Sequence, residues 1–237
     1  MIKTILFDLD GTLLPLNMDK FLKRYFKELS IKFRDFFKAE ELTKLIWEST
    51  EYMINNTDGN KTNAHAFFEN FYSKIPYDSE DIDILFNDFY NNDFYKIGDM
   101  TSKSQTMVAA VNLLRDKGYE LVVATNPLFP KQAILDRIEW AGLDREDFIY
   151  ISCFEEMHYC KPHIQFYEEL LSIIDRRGEE CMMVGNDLEE DMVAKKIGIS
   201  TYLIEDFKIQ RENDMSMVDN HGMYRDFYKF IGKLPQL

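Results

Sequence analysis

"IKTILFDLDGTLL", residues 2–14, is the stretch on which the fold turns. Ile5, Leu6 and Phe7 form an apolar run, the composition of a strand covered on both faces. The run leads straight into Asp8 and Asp10, one residue apart, and then Gly11. A buried charge is costly unless it is paired, hydrogen-bonded or metal-bound. Two acids at the mouth of a buried strand therefore mark a place where charge is used. A calcium loop would be the plain alternative. It requires D-x-[DN]-x-[DN]-G with Glu at position twelve, whereas Thr12, Leu13 and Asp19 stand at positions five, six and twelve from Asp8.

Downstream of Met100 the sequence alternates between helical and strand periods. "TMVAAVNLLRDKGY" predicts a helix stopped by Gly118, and "ELVVAT" (120–125) a short buried strand. "KQAILDRIEWAGL" predicts a helix ending at Gly142, and "FIYIS" (148–152) a strand. "KPHIQFYEELLSII" places Pro162 to start a helix, "CMMVGND" (181–187) is a strand, "EEDMVAKKIG" a helix, and "STYLIE" a last strand. Such alternation with short joints predicts an α/β fold, a Rossmann-like parallel sheet with helices on both faces. The tail "GMYRDFYKFIGKL" (222–234) reads as an amphipathic helix closing on the core.

Residues 16–98 differ in kind: rich in Phe, Tyr, Asn, Lys and Glu, with no strand signal. Phe21, Leu22, Tyr25, Phe26 and Leu29 have helical spacing, as do Leu42, Leu45 and Ile46, then Phe67, Phe68, Phe71 and Tyr72. "NNTDGNKTN" (55–63) and "KIPYDSED" (74–81) read as loops. The expectation is an inserted all-helical cap domain, 16–98, leaving an α/β core domain made of 1–15 and 99–237.

Composition narrows the function. With 237 residues and 46% hydrophobic content a packed core is assured. A net charge of −14 argues against sequence-independent nucleic-acid binding, which depends on basic residues meeting phosphates. Cys153, Cys160 and Cys181 match neither a disulfide framework nor zinc-finger spacing. Reduced, partly buried thiols are expected, as suits a cytoplasmic protein. The N-terminal apolar run is too short for a signal peptide, and no stretch approaches a membrane span. No membrane association and no obligate protein partner are expected.

The polar residues then fall into a pattern. Asp8 and Asp10 follow the first strand, Thr125 and Asn126 the second, and Asp187 the fourth; Lys161 precedes Pro162. In open α/β sheets ligands bind beyond the carboxyl ends of the strands. "DLDGT" (8–12), "TN" (125–126), "KP" (161–162) and "GNDLEED" (185–191) resemble, in order and spacing, the four motifs of the haloacid dehalogenase-like (HAD) hydrolase superfamily. The resemblance covers the whole chain, including a helical cap inserted after the first motif.

The resemblance implies a Mg²⁺-dependent phosphatase of a small phosphorylated metabolite. Asp8 would be the nucleophile toward phosphorus, forming an aspartyl-phosphate. Asp10, two residues on and hence on the same side of an extended chain, would protonate the leaving oxygen and then accept the proton of the attacking water. The resemblance also implies that dehalogenases lack an acid here and aspartyl-phosphate ATPases carry Thr. Asp8, the Asp10 carbonyl and Asp187 would hold the metal. Lys161 would hold nucleophile and phosphate, Thr125, Asn126, Gly11 and Thr12 would contact phosphoryl oxygens, and Asp191 would orient Lys161. The fourth motif often reads G-D; here Asn186 stands at that position, so either Asp187 or Asn186 completes the metal site. Glu189 and Glu190 read as solvated helix-start residues.

Lys20, Lys23, Arg24 and Lys27 lie at helical spacing opposite the aromatic side and read as a solvated basic face. The sharper alternative has one of them holding a second anion of the substrate. His65, His158 and His163 carry no site signal. Two other readings stay open: a phosphomutase, which shares the four motifs, and a catalytically silent binding protein.

Overall fold

The computed structural model describes residues 1–209 and 214–237. Its centre is a six-stranded, wholly parallel sheet. The strands are β1 (Thr4–Phe7), β2 (Glu120–Val123), β3 (Tyr150–Ile151), β4 (Cys181–Gly185), β5 (Ser200–Ile204) and β6 (Asn220–Gly222), in the order β3-β2-β1-β4-β5-β6. The chain lays down β2 and β3 on one side of β1, then returns to place β4 on the other. β1 thus borders the point where strand order reverses, the place such sheets keep for ligands.

Alternation along the strands sends side chains to two separate cores. Ile5 and Phe7, with Leu121, Val123, Met182 and Val184, face one side. There they meet α5 (Gln105–Asp116), α6 (Lys131–Trp140) and α8 (Tyr224–Gly232), through residues such as Val111, Ile134 and Phe227. Leu6, Val122 and Met183 face the other side, against Phe166, Tyr167 and Leu170 of α7 (Ile164–Ile173).

Between β1 and α5 the chain is helical: α1 (Met18–Lys32), α2 (Ala39–Ile54), α3 (Asn63–Tyr72) and α4 (Ser79–Asp88), followed by a π-helical turn at Phe89–Asp93 and a 3-10 stretch at Phe94–Met100. Stacked and edge-on aromatic contacts hold this segment together. Phe33 meets Phe86 at 4.7 Å between ring centres, and Phe71 meets Phe86 at 5.6 Å. Phe67 and Phe68 reach Phe154, after β3, at 5.7 and 5.8 Å. The N-terminus of α3 docks on the same loop, with Asn63 N–H donating to the Met157 carbonyl (2.8 Å) and Ala64 N–H to that of Phe154 (3.0 Å).

Four sequence expectations need correction. "KIPYDSED" is a loop only as far as Asp78, whose carboxylate caps α4 by accepting from Glu80 N–H. Pro162 does not start α7: its peptide bond to Lys161 is cis, and the helix begins at Ile164. "EEDMVAKKIG" forms turns and a 3-10 helix over Met192–Ile197 instead of an α-helix. β6 was not expected; its three residues, Asn220, His221 and Gly222, become strand by pairing with Tyr202, Leu203 and Ile204. Among the described residues no helix is long and apolar enough to cross a membrane. All three cysteines are buried free thiols, and burial pushes Cys153 and Cys181 up to about 12.

Candidate active site

The carboxyl ends of β2, β1 and β4 lie side by side, and each is followed by polar residues. Asp8 continues the ladder by one bond, its N–H donating to the Val184 carbonyl (2.9 Å). The chain then folds back, with Gly11 N–H bonding to the Leu14 carbonyl (2.8 Å) and Leu14 N–H to that of Leu9 (2.9 Å). Gly11 sits at φ +85°, and a Cβ there would lie 2.3 Å from Asn186 Nδ2. Only glycine satisfies both the positive φ and the close approach.

Lys161 is the centre of the charge arrangement. Its ammonium is buried, 3.1 Å from Asp8 Oδ1 and 2.6 Å from Asp191 Oδ1. The other oxygen of Asp191 accepts from Asp187 N–H (2.9 Å). That approach depends on Gly185, where a Cβ would stand 2.1 Å from Asp191 Oδ2. Burial pushes the Asp8 carboxyl up to about 6 against the pull of Lys161, and Asp191 up to about 7 for the same reason. Burial penalises the Lys161 ammonium as well, but Asp191 and Asp8 outweigh it and hold the group well above its ordinary value. One cation thus serves two buried carboxylates, and the site has a surplus of negative charge.

Asp10 has its own partner, which sequence reasoning did not find. Arg137, 1% exposed on α6, binds Asp10 Oδ2 through Nη1. The guanidinium is fixed by Nε donating to the Ala133 carbonyl (3.0 Å) and lies 4.5 Å from the Phe129 ring centre. Asp10 Oδ1 and Arg137 Nη2 are buried without a hydrogen-bond partner among the described residues. Burial raises the Asp10 carboxyl, and Arg137 works against the rise. A sequence signal did exist: Ala133, Ile134 and Ile138 belong to the buried stripe of α6, and Arg137 lies within it.

The remaining predicted residues divide into contacts and braces. Thr125 is buried after β2 and lines the same cavity as Asp8 and Asp10. Asn126 braces the rim: its Oδ1 accepts from Lys161 N–H (3.2 Å), and its Nδ2 donates to the Lys161 carbonyl (3.3 Å) and to Glu190 Oε2 (3.0 Å). Glu190 is therefore not a solvated helix-start residue. It is half-buried, lines the cavity, and burial raises its carboxyl. Asn186 bridges loops, accepting from Thr12 Oγ1 (3.2 Å) and donating to the Phe207 carbonyl (2.7 Å). Asp187 Oδ1 accepts from Glu189 and Glu190 N–H at 2.8 and 3.1 Å.

His158 is tied to Glu169 and His163 to the Ile54 carbonyl, and neither lines the cavity. Of the basic face, Arg24 pairs with Glu28 (2.8 Å), Lys20, Lys23 and Lys27 are exposed, and none of the four lines the cavity.

Among the described residues no cluster of three or more His, Cys, Asp or Glu forms a ready metal cage. Mg²⁺ takes one or two carboxylates and completes its shell with carbonyl, water and phosphate oxygens. Asp8 and Asp187 line one cavity, all-oxygen donors in a site already over-supplied with negative charge. The donor chemistry fits.

Comparison with known proteins agrees with this architecture. The chain is 23% identical over 200 residues to the pyrophosphatase PpaX of Bacillus cereus (strain Q1), covering 84% of this chain and 82% of the relative. The structure of CbbY from Rhodobacter sphaeroides in complex with phosphate superposes with a TM-score of 0.62 at 21% identity over 94% of both chains. The putative HAD-hydrolase YfnB of Bacillus subtilis, solved bound to magnesium, gives 0.57 at 15% identity, covering 97% of this chain and 98% of that one. Residues 2–198 match the haloacid dehalogenase-like hydrolase family, and the chain belongs to it.

Proposed function

We propose that the protein is a Mg²⁺-dependent phosphatase that hydrolyses a small phosphate monoester through an aspartyl-phosphate on Asp8. The observation that carries this reading is the pair of acids with separate partners: Asp8 on Lys161, Asp10 on Arg137. Lys161 keeps Asp8 ionised and aimed, so that a carboxylate oxygen attacks phosphorus and the bond to the leaving oxygen breaks. Asp10, raised by burial and with one oxygen unengaged, delivers its proton to that leaving oxygen. In the second half-reaction the Asp10 carboxylate takes a proton from water, which attacks phosphorus and releases phosphate and Asp8. Arg137 steadies the charge that Asp10 carries between the two halves. Asp8, the Asp10 carbonyl and Asp187 would hold Mg²⁺, whose charge offsets that of the phosphate. Asn186 is assigned a bracing role, since both ends of its amide are already used. Thr125, Gly11 and Thr12 would meet the phosphoryl oxygens.

Residues 16–98 act in this reading as a cap over a core formed by 1–15 and 99–237, excluding water during the first half-reaction. The enzyme would work in the cytoplasm, where its buried thiols stay reduced. A phosphomutase differs in needing an acceptor. The test is phosphate release from a panel of monoesters with Mg²⁺ and no added acceptor, beside Asp8→Asn. Release by the wild type, lowered about 10³-fold or more in the variant, is expected. Absence of Asp8-dependent release from every ester overturns the proposal.

A further inference from the structure

We propose that the cavity beside Asp8 and Asp10 selects a phosphate monoester whose alcohol is apolar and carries no second anionic group. The inference rests on the phosphatase reading and specifies its substrate class.

The cavity has a volume of about 380 Å³, near the small end of ligand sites, which run from roughly 300 to 1,000 Å³. Its two ends differ completely. The charged side chains that line it are Asp8, Asp10, Asp187, Glu190 and Asp191 from the rim of the sheet and Arg137 from α6. The helical segment contributes no charged side chain at all. Leu22 and Phe26 of α1, Ile46 and Trp47 of α2, Phe68 of α3 and Phe86 of α4 form its wall. The polar side-chain groups on that side are the hydroxyls of Tyr25, Thr50 and Tyr90 and the indole N–H of Trp47, and the two tyrosine hydroxyls satisfy each other at 2.8 Å.

A leaving group enclosed here meets hydrocarbon and aromatic rings. A second phosphate or carboxylate against this wall would meet no cation among the described residues, a costly state. Arg137, the one basic residue lining the cavity among the described residues, is held through Nη1 by Asp10 at the reacting end, so its spare Nη2 donor serves the phosphoryl end and not the helical wall. The basic residues of α1 line no part of it, so among the described residues no further cation awaits a distal anion. Pyrophosphate and sugar bisphosphates, whose leaving groups are themselves anionic, fit this wall poorly. An alkyl or aryl phosphate fits it well: Asp8 takes the phosphoryl group, Asp10 protonates the departing alkoxide, and a neutral alcohol remains against an apolar wall.

Hexyl phosphate and hexane-1,6-diol bisphosphate test this, because they share a chain and a leaving oxygen and differ in the second phosphate. With Mg²⁺, kcat/KM at least tenfold higher for hexyl phosphate is expected, and the same preference in calorimetric binding to Asp8→Asn. Trp47→Lys, at a residue 49% exposed and so tolerant of change, is expected to narrow that ratio by admitting a cation to the wall. Equal or better use of the bisphosphate or of pyrophosphate by the wild type overturns the inference and leaves the phosphatase intact. Loss of all Asp8-dependent phosphate release instead overturns the phosphatase reading. The binding measurement then still decides selectivity: failure of Asp8→Asn to prefer hexyl phosphate, or to bind either ligand at millimolar concentration, counts against it.

Discussion

The rim of the sheet and the helical wall facing it are built on opposite chemistry. At the rim, buried charges hold one another in fixed geometry, Lys161 between Asp8 and Asp191 and Arg137 on Asp10, while the Asn126 amide ties the Lys161 backbone to Glu190. On the wall, aromatic rings pack by shape, with Phe33, Phe71 and Phe86 forming its interior. The difference separates two tasks. In the proposed reading, fixed charge determines which bond is made and broken, whereas the apolar wall determines what is attached to it.

Two substitutions of comparable energetic cost should break the molecule differently. Lys161→Met leaves Asp8 and Asp191 without their shared cation, and about 3–5 kcal/mol of stability should be lost together with nearly all turnover. Phe33→Ala removes a fully buried ring from the wall's interior, away from the cavity, and should cost about the same 3–5 kcal/mol. Its kcat at a temperature where it remains folded should stay near wild type. Denaturant unfolding beside steady-state kinetics checks both; loss of chemistry in Phe33→Ala at full folding would dissolve the distinction.

Arg137→Lys is a gentler probe of the rim. It keeps the charge but gives up the fork and the stacking on Phe129. A roughly tenfold fall in kcat with little change in KM is expected, since Arg137 acts through Asp10. A KM effect alone would mean that Arg137 holds substrate instead.

The smallest expected effect is a pH slope. In the metal-free protein Asp8 and Asp191 stand near 6 and 7, above the ordinary 3.8, so the folded chain holds more protons than the unfolded one. The stability these two groups contribute is therefore fullest below about pH 4 and is lost as pH rises through 6 and 7. With chelator present, Tm should fall between about pH 5 and pH 8, and Asp8→Asn should flatten part of that fall. An unchanged slope in the variant would remove Asp8 from the account. Added Mg²⁺ should raise Tm most at the alkaline end.

The rim was more legible in the sequence than the wall. Asp8, Asp10, Lys161 and Asp191 stand in short motifs at the ends of apolar strands, where local sequence and fold agree. Arg137 was missed because it lies in no motif; only its place among Ala133, Ile134 and Ile138 gave it away. Glu190 looked solvated because its partner, Asn126, is 64 residues distant in the chain. β6 has no strand propensity in Asn-His-Gly and exists through its pairing with β5. The wall's helices were readable by period. Which of their faces enclose the cavity was not, because that depends on how α1 to α4 pack over the rim.

The most direct measurement is to quench the enzyme in acid during turnover of a phosphate ester with Mg²⁺ and map the phosphoryl group by mass spectrometry. A phosphoryl group on Asp8, absent in Asp8→Asn, is the expected result. Turnover at full rate with no labelled enzyme, or a label on any other residue, would contradict the account.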